Sequence, residues 1–262
     1  MPEVKFKGVK LHFTDQGKGR AIIFLHGFLE NCSMWKKIVP ELQNRYRVVC
    51  IDLPGHGKSE CIGYVHTMDE MAEAVFKVVR TLKLRKVTMI GHSMGGYVAL
   101  AFAERFPDNV KSLVLYQSTA KADSDERKNN RNRAIELVKQ NHKSFVRKAV
   151  PQLFRPVNRK KFKTEMDWAK NEALSTPVQG IIAALGGMRD RPNREILLKF
   201  PPYSIHIVAA DKDPIIAYND MVELASISDQ VRLHTIKGCG HMSYIENPEA
   251  TIAGFNIIMK QN

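Results

Sequence analysis

The sequence predicts an α/β protein: a mostly parallel sheet flanked by helices and interrupted by one long helical insertion. Two observations carry this. Apolar runs at residues 21–25, 46–52, 87–90 and 110–116 alternate with stretches of helical spacing. That is the rhythm of a parallel sheet with crossover helices. From about residue 118 to 199 the rhythm stops and only helical patterns follow, before strands resume at 204–210 and 231–236.

Taken in order, residues 4–6 and 9–13 alternate apolar with polar side chains around Lys7-Gly8, which predicts an antiparallel hairpin at a sheet edge. Ala21-Ile22-Ile23-Phe24-Leu25 is apolar throughout, as expected of a strand covered on both faces. A helix is expected over 34–42 with Ser33 as its cap, its far end blurred by Pro40. Residues 67–82 repeat apolar side chains at helical spacing, and Thr67 with Glu70 forms a capping box. A strand at 87–90 leads through Gly91-His92-Ser93-Met94-Gly95 into a small-residue helix over 95–105, which Pro107 stops. In the insertion, helices are expected over 123–140, 143–150, 159–174 and 177–188. After it, 220–225 and 248–259 are helical. The expected division is therefore a core of residues 1–118 and 200–262 with a helical cap at 119–199.

The chain has 262 residues, 44% of them hydrophobic, enough for one large α/β domain with an insertion or for two ordinary domains. No run of about 18 apolar residues suggests a membrane span. Met1-Pro2-Glu3-Val4-Lys5-Phe6-Lys7 lacks the apolar core of a signal peptide, so the expected location is cytoplasmic. Cys32, Cys50, Cys61 and Cys239 form no C-x-x-C pair and are expected to be reduced thiols used in packing. Net charge is +13, and the excess is local: residues 119–200 hold 19 Lys and Arg against 9 Asp and Glu. Arg127-Lys128 and Arg159-Lys160-Lys161 are separate clusters without interleaved aromatics, so a solvated face is expected and no nucleic-acid partner. No His, Asp or Glu spacing suggests a metal, and Gly17-x-Gly19 lacks the third glycine of a dinucleotide loop.

Reactive groups of an open parallel sheet collect beyond the carboxyl ends of its strands. Four such ends stand out here: His26-Gly27-Phe28, Ser93, Asp211-Lys212-Asp213-Pro214 and Gly238-Cys239-Gly240-His241-Met242. G-x-S-x-G is a nucleophile elbow, a tense turn that exposes a serine hydroxyl. Gly91 and Gly95 are required where strand and helix backbones approach too closely for a Cβ. A serine needs a base, and histidine has a suitable pKa. The histidine needs a carboxylate to fix its tautomer. The order Ser93, Asp213, His241 supplies nucleophile, acid and base. The backbone N–H groups of Met94 and Phe28 are the expected donors to a developing oxyanion. His26, His56 and His92 flank glycines and are expected to shape loops. Trp35 and Trp168 are expected in packing.

With these motifs in hand, the chain resembles the α/β-hydrolase family, in its cap-bearing serine esterase-like branch. His26-Gly27-Phe28, the run from Asp52 to Ser59, the elbow, Asp211-Lys212-Asp213-Pro214 and Gly240-His241-Met242 match in order. The resemblance implies an eight-stranded, mostly parallel sheet, a helical cap after strand six and a Ser-His-Asp site without cofactor. The family pattern Gly-x-x-Asp is altered, with Ala210 in the glycine's place; counting from it selects Asp213 over the competing Asp211.

Relatives with dehalogenase or epoxide hydrolase activity need a carboxylate nucleophile, and position 93 is serine. Carboxylic esters, lactones, thioesters and C–C bonds remain, as does a non-enzymatic ligand-binding role. The leading expectation is a carboxylesterase acting on a small-molecule ester. Leu29, Tyr116, Ile215 and Met242 are expected to join Phe28 and Met94 in the pocket, which favours an apolar acyl or alcohol group. Residues 187–194 look similar to esterase, lactonase and haloperoxidase-like members. The oligomeric state is left open.

Overall fold

The computed structural model describes residues 2–261; Met1 and Asn262 lie outside them. Among the described residues, eight strands form one sheet in the order β1-β2-β4-β3-β5-β6-β7-β8. Strands β1 (Glu3–Phe6) and β2 (Val9–Gln16) pair antiparallel at one edge, and β2 pairs antiparallel with β4 (Arg47–Ile51). The remaining strands, β3 (Ala21–Leu25), β5 (Val87–His92), β6 (Val110–Tyr116), β7 (Ser204–Ala210) and β8 (Val231–Ile236), run parallel with β4. Strands β3 and β5 are buried at every residue, which is why their sequences run apolar instead of alternating.

Helix α1 (Val39–Leu42) is shorter than expected. A 3₁₀ turn at Cys32–Lys37 precedes it, capped by Asn31 rather than Ser33: the Ser33 N–H donates to Asn31 Oδ1 at 2.8 Å. Pro40 has no N–H to give an i−4 carbonyl, which disfavours one continuous helix through that position. Helix α2 (Met68–Thr81) begins as its capping residue predicts, the Glu70 N–H donating to Thr67 Oγ1 at 3.1 Å. It buries Met71, Val75, Val78 and Val79 along one stripe. Helix α3 (Met94–Arg105) is buried from Met94 to Ala103, consistent with its central position and small residues.

Between β6 and β7 lie α4 (Asp125–Leu153), α5 (Lys163–Leu174), α6 (Val178–Arg189) and α7 (Ile196–Lys199). Two helices were expected where α4 runs as one element, and Asn141 marks their junction with a non-helical backbone. Its side chain restarts the helix by accepting the Ser144 N–H at 2.9 Å. The expected helix start at 159 is early by four residues: a 3₁₀ turn at Pro156–Asn158 and a further turn precede α5, which begins at Lys163. Helices α8 (Tyr218–Ala225), α9 (Ser243–Glu246) and α10 (Pro248–Lys260) complete the chain.

The insertion is pinned to the sheet domain by close backbone approach and by ion pairs. A Cβ on Gly180 of α6 would collide with the Gly55 carbonyl, and one on Gly187 with that of His66. Arg194 donates to both carboxylate oxygens of Asp69 in α2, and to Glu104 in α3. Arg191 pairs with the buried Asp123 at 2.8 Å and lies 4.0 Å from the centroid of the Tyr97 ring. Residues 187–194, which resembled a family segment in sequence, therefore include three of the insertion's anchors, Gly187, Arg191 and Arg194. Among the described residues no helix is long and apolar enough to cross a membrane, and the four cysteines are unpaired.

Candidate active site

The elbow forms because glycine sits at both points where strand and helix touch. A Cβ on Gly91 would strike the Gly95 carbonyl, and a Cβ on Gly95 the carbonyls of Leu25 and His26. Between them Ser93 adopts φ 49° and ψ −114°, a backbone region that costs a residue with a Cβ about 1–3 kcal/mol. Hydrogen bonds hold it there: Ser93 N–H to the Tyr116 carbonyl at 3.0 Å, and Ser118 Oγ–H to the Ser93 carbonyl at 2.7 Å. Met94 opens α3, where the first amides have no intrahelical acceptor.

Asp213 and His241 come from the ends of β7 and β8. His241 Nδ1 lies 2.7 Å from Asp213 Oδ2, and both side chains are buried. The other carboxylate oxygen accepts the N–H groups of Ile215 at 2.8 Å and Ile216 at 3.1 Å. Burial pushes the Asp213 carboxyl up, but the attraction of His241 and these hydrogen bonds outweigh it and hold it below the usual carboxylate value. Asp211, the competing residue, instead accepts the Gly238 N–H at 2.6 Å and braces the loop before His241. Ser93 follows His92, whose ring centroid is 5.0 Å from that of His241. The Ser93 hydroxyl makes no hydrogen bond among the described residues; contacts between nucleophile and base often tighten only with substrate bound.

Gln117, which the sequence reading missed, knits this corner together. Its Nε2 donates to Asp213 Oδ2 at 3.0 Å and to the Gly240 carbonyl at 2.7 Å. Its Oε1 accepts the Ser243 hydroxyl at 2.6 Å. The one available signal was its position, a polar residue directly after an apolar strand. Glu30 was missed as well. It accepts the Gly27 N–H at 2.7 Å, and with Leu29 at φ 64° it folds the loop that carries Phe28.

Phe28, Leu29 and Met242 line a cavity of about 20 Å³, room for roughly one water molecule. Its opposite wall comes from the insertion, through Val150, Leu153, Trp168 and Glu172. Glu172 is held by Asn31 Nδ2 at 2.9 Å and Ser33 Oγ at 2.8 Å. Trp168 is therefore a wall residue, while Trp35 is fully buried in the core.

Three expected pocket residues lie elsewhere. Met94 is fully buried at the start of α3, outside the cavity wall. Tyr116 is 0% exposed. Its ring packs on Phe255 and His92, and its hydroxyl is 2.6 Å from Ser243 Oγ. It ends β6 pointing into the layer beneath the site, because strand parity and not proximity to the strand end decides which way a side chain faces. Ile215 is 37% exposed and serves Asp213 through its backbone N–H, outside the cavity wall. His26 and His56 shape loops: His26 accepts the Leu53 N–H at 2.9 Å, and burial lowers the His56 pKa to about 3.

Comparison with known proteins bears on the fold and the family. A family model described as alpha/beta hydrolase fold matches residues 20–248. The AB hydrolase superfamily protein YisY of Bacillus subtilis (strain 168) is 30% identical over 253 residues, covering 92% of this chain and 92% of that protein. A thermophilic esterase from Thermogutta terrifontis superposes with a TM-score of 0.95 at 30% identity, over 100% of this chain and 99% of the other. An enol-lactonase from Burkholderia xenovorans LB400 shares the fold, with a TM-score of 0.91 at 20% identity over 99% of this chain and 100% of that one.

Proposed function

Because this chain belongs to the alpha/beta hydrolase fold family, we propose that it is a serine hydrolase that cleaves small carboxylic esters through an acyl-enzyme. The observation that carries this reading is the 2.7 Å pair of His241 Nδ1 and Asp213 beside a strained elbow serine. In this mechanism Ser93 Oγ attacks the ester carbonyl carbon while His241 Nε2 takes its proton. Asp213 accepts the Nδ1–H, fixing the tautomer and stabilising the imidazolium. The carbonyl oxygen becomes an oxyanion that receives hydrogen bonds from the Phe28 and Met94 amides. Collapse breaks the bond to the alcohol oxygen, which leaves with the proton from His241. Water then gives a proton to His241 and attacks the acyl-enzyme, and collapse releases the acid and restores Ser93.

The cavity beside Phe28 and Met242 is small, with room for about one water molecule. Its walls are mainly apolar, and Glu172 makes it unwelcoming to a second carboxylate. Neutral esters with a short acyl or alcohol part are therefore the favoured substrates, and a lactone, being a cyclic ester, would be opened by the same steps. The test is a panel of activated esters that varies chain length and charge, run with the unmodified protein and Ser93→Ala. Turnover should be greatest for acetyl and propionyl esters, and Ser93→Ala should lower kcat by about 10⁴-fold or more. Full turnover by Ser93→Ala would sink the mechanism.

A further inference from the structure

Behind the elbow lies a buried pair that the acyl-transfer steps do not use. His92 and Glu30 are 1% and 8% exposed. His92 Nδ1 is 2.8 Å from Glu30 Oε2, and Nε2 is 3.0 Å from the main-chain carbonyl oxygen of His241. Glu30 Oε2 also accepts the Gly27 N–H at 2.7 Å, and Oε1 accepts the Tyr244 hydroxyl at 3.0 Å. Two side chains thus join three segments: the loop carrying Phe28, the elbow carrying Ser93 and the loop carrying His241.

The contacts favour one charge state. A carbonyl oxygen cannot donate, so Nε2 must carry a proton. Nδ1 faces a carboxylate oxygen that already receives the Gly27 N–H, so a proton on Nδ1 completes the arrangement. An imidazolium facing a carboxylate satisfies every contact, whereas a neutral ring would require the proton on an oxygen already engaged as acceptor. The surroundings agree. Burial lowers the His92 pKa, but the charge and hydrogen bond of Glu30 and the His241 carbonyl raise it above the usual imidazole value. Burial raises Glu30, and His92 more than reverses this. The rings of His241 and Tyr116 lie 5.0 Å from that of His92, and that of Tyr244 lies 5.8 Å away. Asp213 adds attraction from the β7 loop, while His26, from the β3 end, also senses the His92 charge.

We propose that the His92 imidazolium, paired with Glu30, is a positioning residue that fixes the His241 main chain against the Ser93 and Phe28 loops. Loss of its proton is what slackens the site at alkaline pH. The His241 N–H is already held by the Leu153 carbonyl of the insertion at 2.7 Å, so His92 is its tether on the sheet side. The sign follows from the two directions. With His92 raised, its contribution is complete below the ordinary imidazole value and is lost as pH climbs through the folded value. With Glu30 lowered, it survives on the acid side until pH falls below the ordinary carboxylate range.

The kinetic part rests on the serine hydrolase reading, so the first measurement needs no substrate. Nitrogen-15 NMR of histidine-labelled protein at about pH 7.5, where an ordinary imidazole is about one-tenth protonated, should show both His92 nitrogens protonated. The resonance is assigned by its absence in His92→Asn, or from backbone connectivity if that variant does not fold. A singly protonated ring would overturn the proposal. With an activated acetate ester, His92→Asn should lower kcat about 10- to 100-fold with KM within about 3-fold. Glu30→Gln leaves a neutral imidazole able to donate Nε2–H to the His241 carbonyl. It should lose less kcat and flatten the alkaline limb of the pH profile. A His92→Asn variant with reduced thermal stability but intact kcat would show a merely structural role and contradict the proposal. So would Glu30→Gln with an unaltered alkaline limb. If the unmodified protein hydrolyses no ester, the hydrolase reading fails and the NMR result alone decides the charge state of the pair.

Discussion

At the residue level, chemistry concentrates where the backbone is least comfortable. Leu29, Ser93 and Gln117 all adopt positive φ, and each lies just beyond the end of a parallel strand. The trio could be nominated from sequence because its motifs are local: glycines around Ser93, proline after Asp213, glycine before His241. Gln117 and Glu30 were not, because their partners are distant along the chain. Gln117 reaches Asp213 across 96 residues, and Glu30 reaches His92 across 62. Tyr116 was misplaced for a related reason, since adjacency in sequence says nothing about which face of the sheet receives the ring. Gln117 offers a test of how Asp213 is kept ionised. The isosteric Gln117→Glu puts a second carboxylate against Asp213 Oδ2, and like charges oppose ionisation. The depressed Asp213 pKa gives stability that is present above the unfolded value and lost as pH falls through the folded one. Gln117→Glu should move that loss to higher pH, visible as an earlier drop in melting temperature on acidification and an upward shift of the acid limb of kcat. Identical profiles for the two proteins would mean that Gln117 does not tune the acid.

Among the elements, strands were read more closely than helix ends. Apolar runs buried on both faces mark β3 and β5 plainly, whereas the break at Asn141 and the turn at Cys32–Lys37 depend on one side chain or one missing N–H. How the insertion sits on the sheet domain was not legible at all. Its seating depends on glycine contacts such as that of Gly180 with Gly55, and on Arg194 reaching Asp69 and Glu104. Gly180→Ala tests this seating. In an exposed helix the change would stabilise by about 1 kcal/mol through propensity. Here the new Cβ meets the Gly55 carbonyl, so a net loss of about 1–3 kcal/mol is expected, measured by urea unfolding. A gain in stability would show that α6 does not press on that loop. Because α4 and α5 supply one wall of the cavity, the same variant should also weaken discrimination between short and long acyl esters.

For the whole molecule, topology brings together four strand ends that are far apart in the chain. Phe28 follows β3, Ser93 follows β5, Asp213 follows β7 and His241 follows β8. Strand order alone places β5 near the centre of the sheet, with β3 on one side and β6, β7 and β8 on the other. Most of the +13 charge belongs to the insertion, while the cavity it helps to line presents Glu172. On the proposed reading, the reactivity of Ser93 would belong to the folded chain and not to the pentapeptide around it. The most direct measurement is labelling with a serine-reactive fluorophosphonate, followed by intact mass and peptide mapping. The folded protein should gain a single phosphonyl group, on Ser93, and gain none after Ser93→Ala or when treated in denaturing urea. Absence of an adduct on the folded protein, or an undiminished adduct in Ser93→Ala, would contradict the assignment of Ser93 as nucleophile.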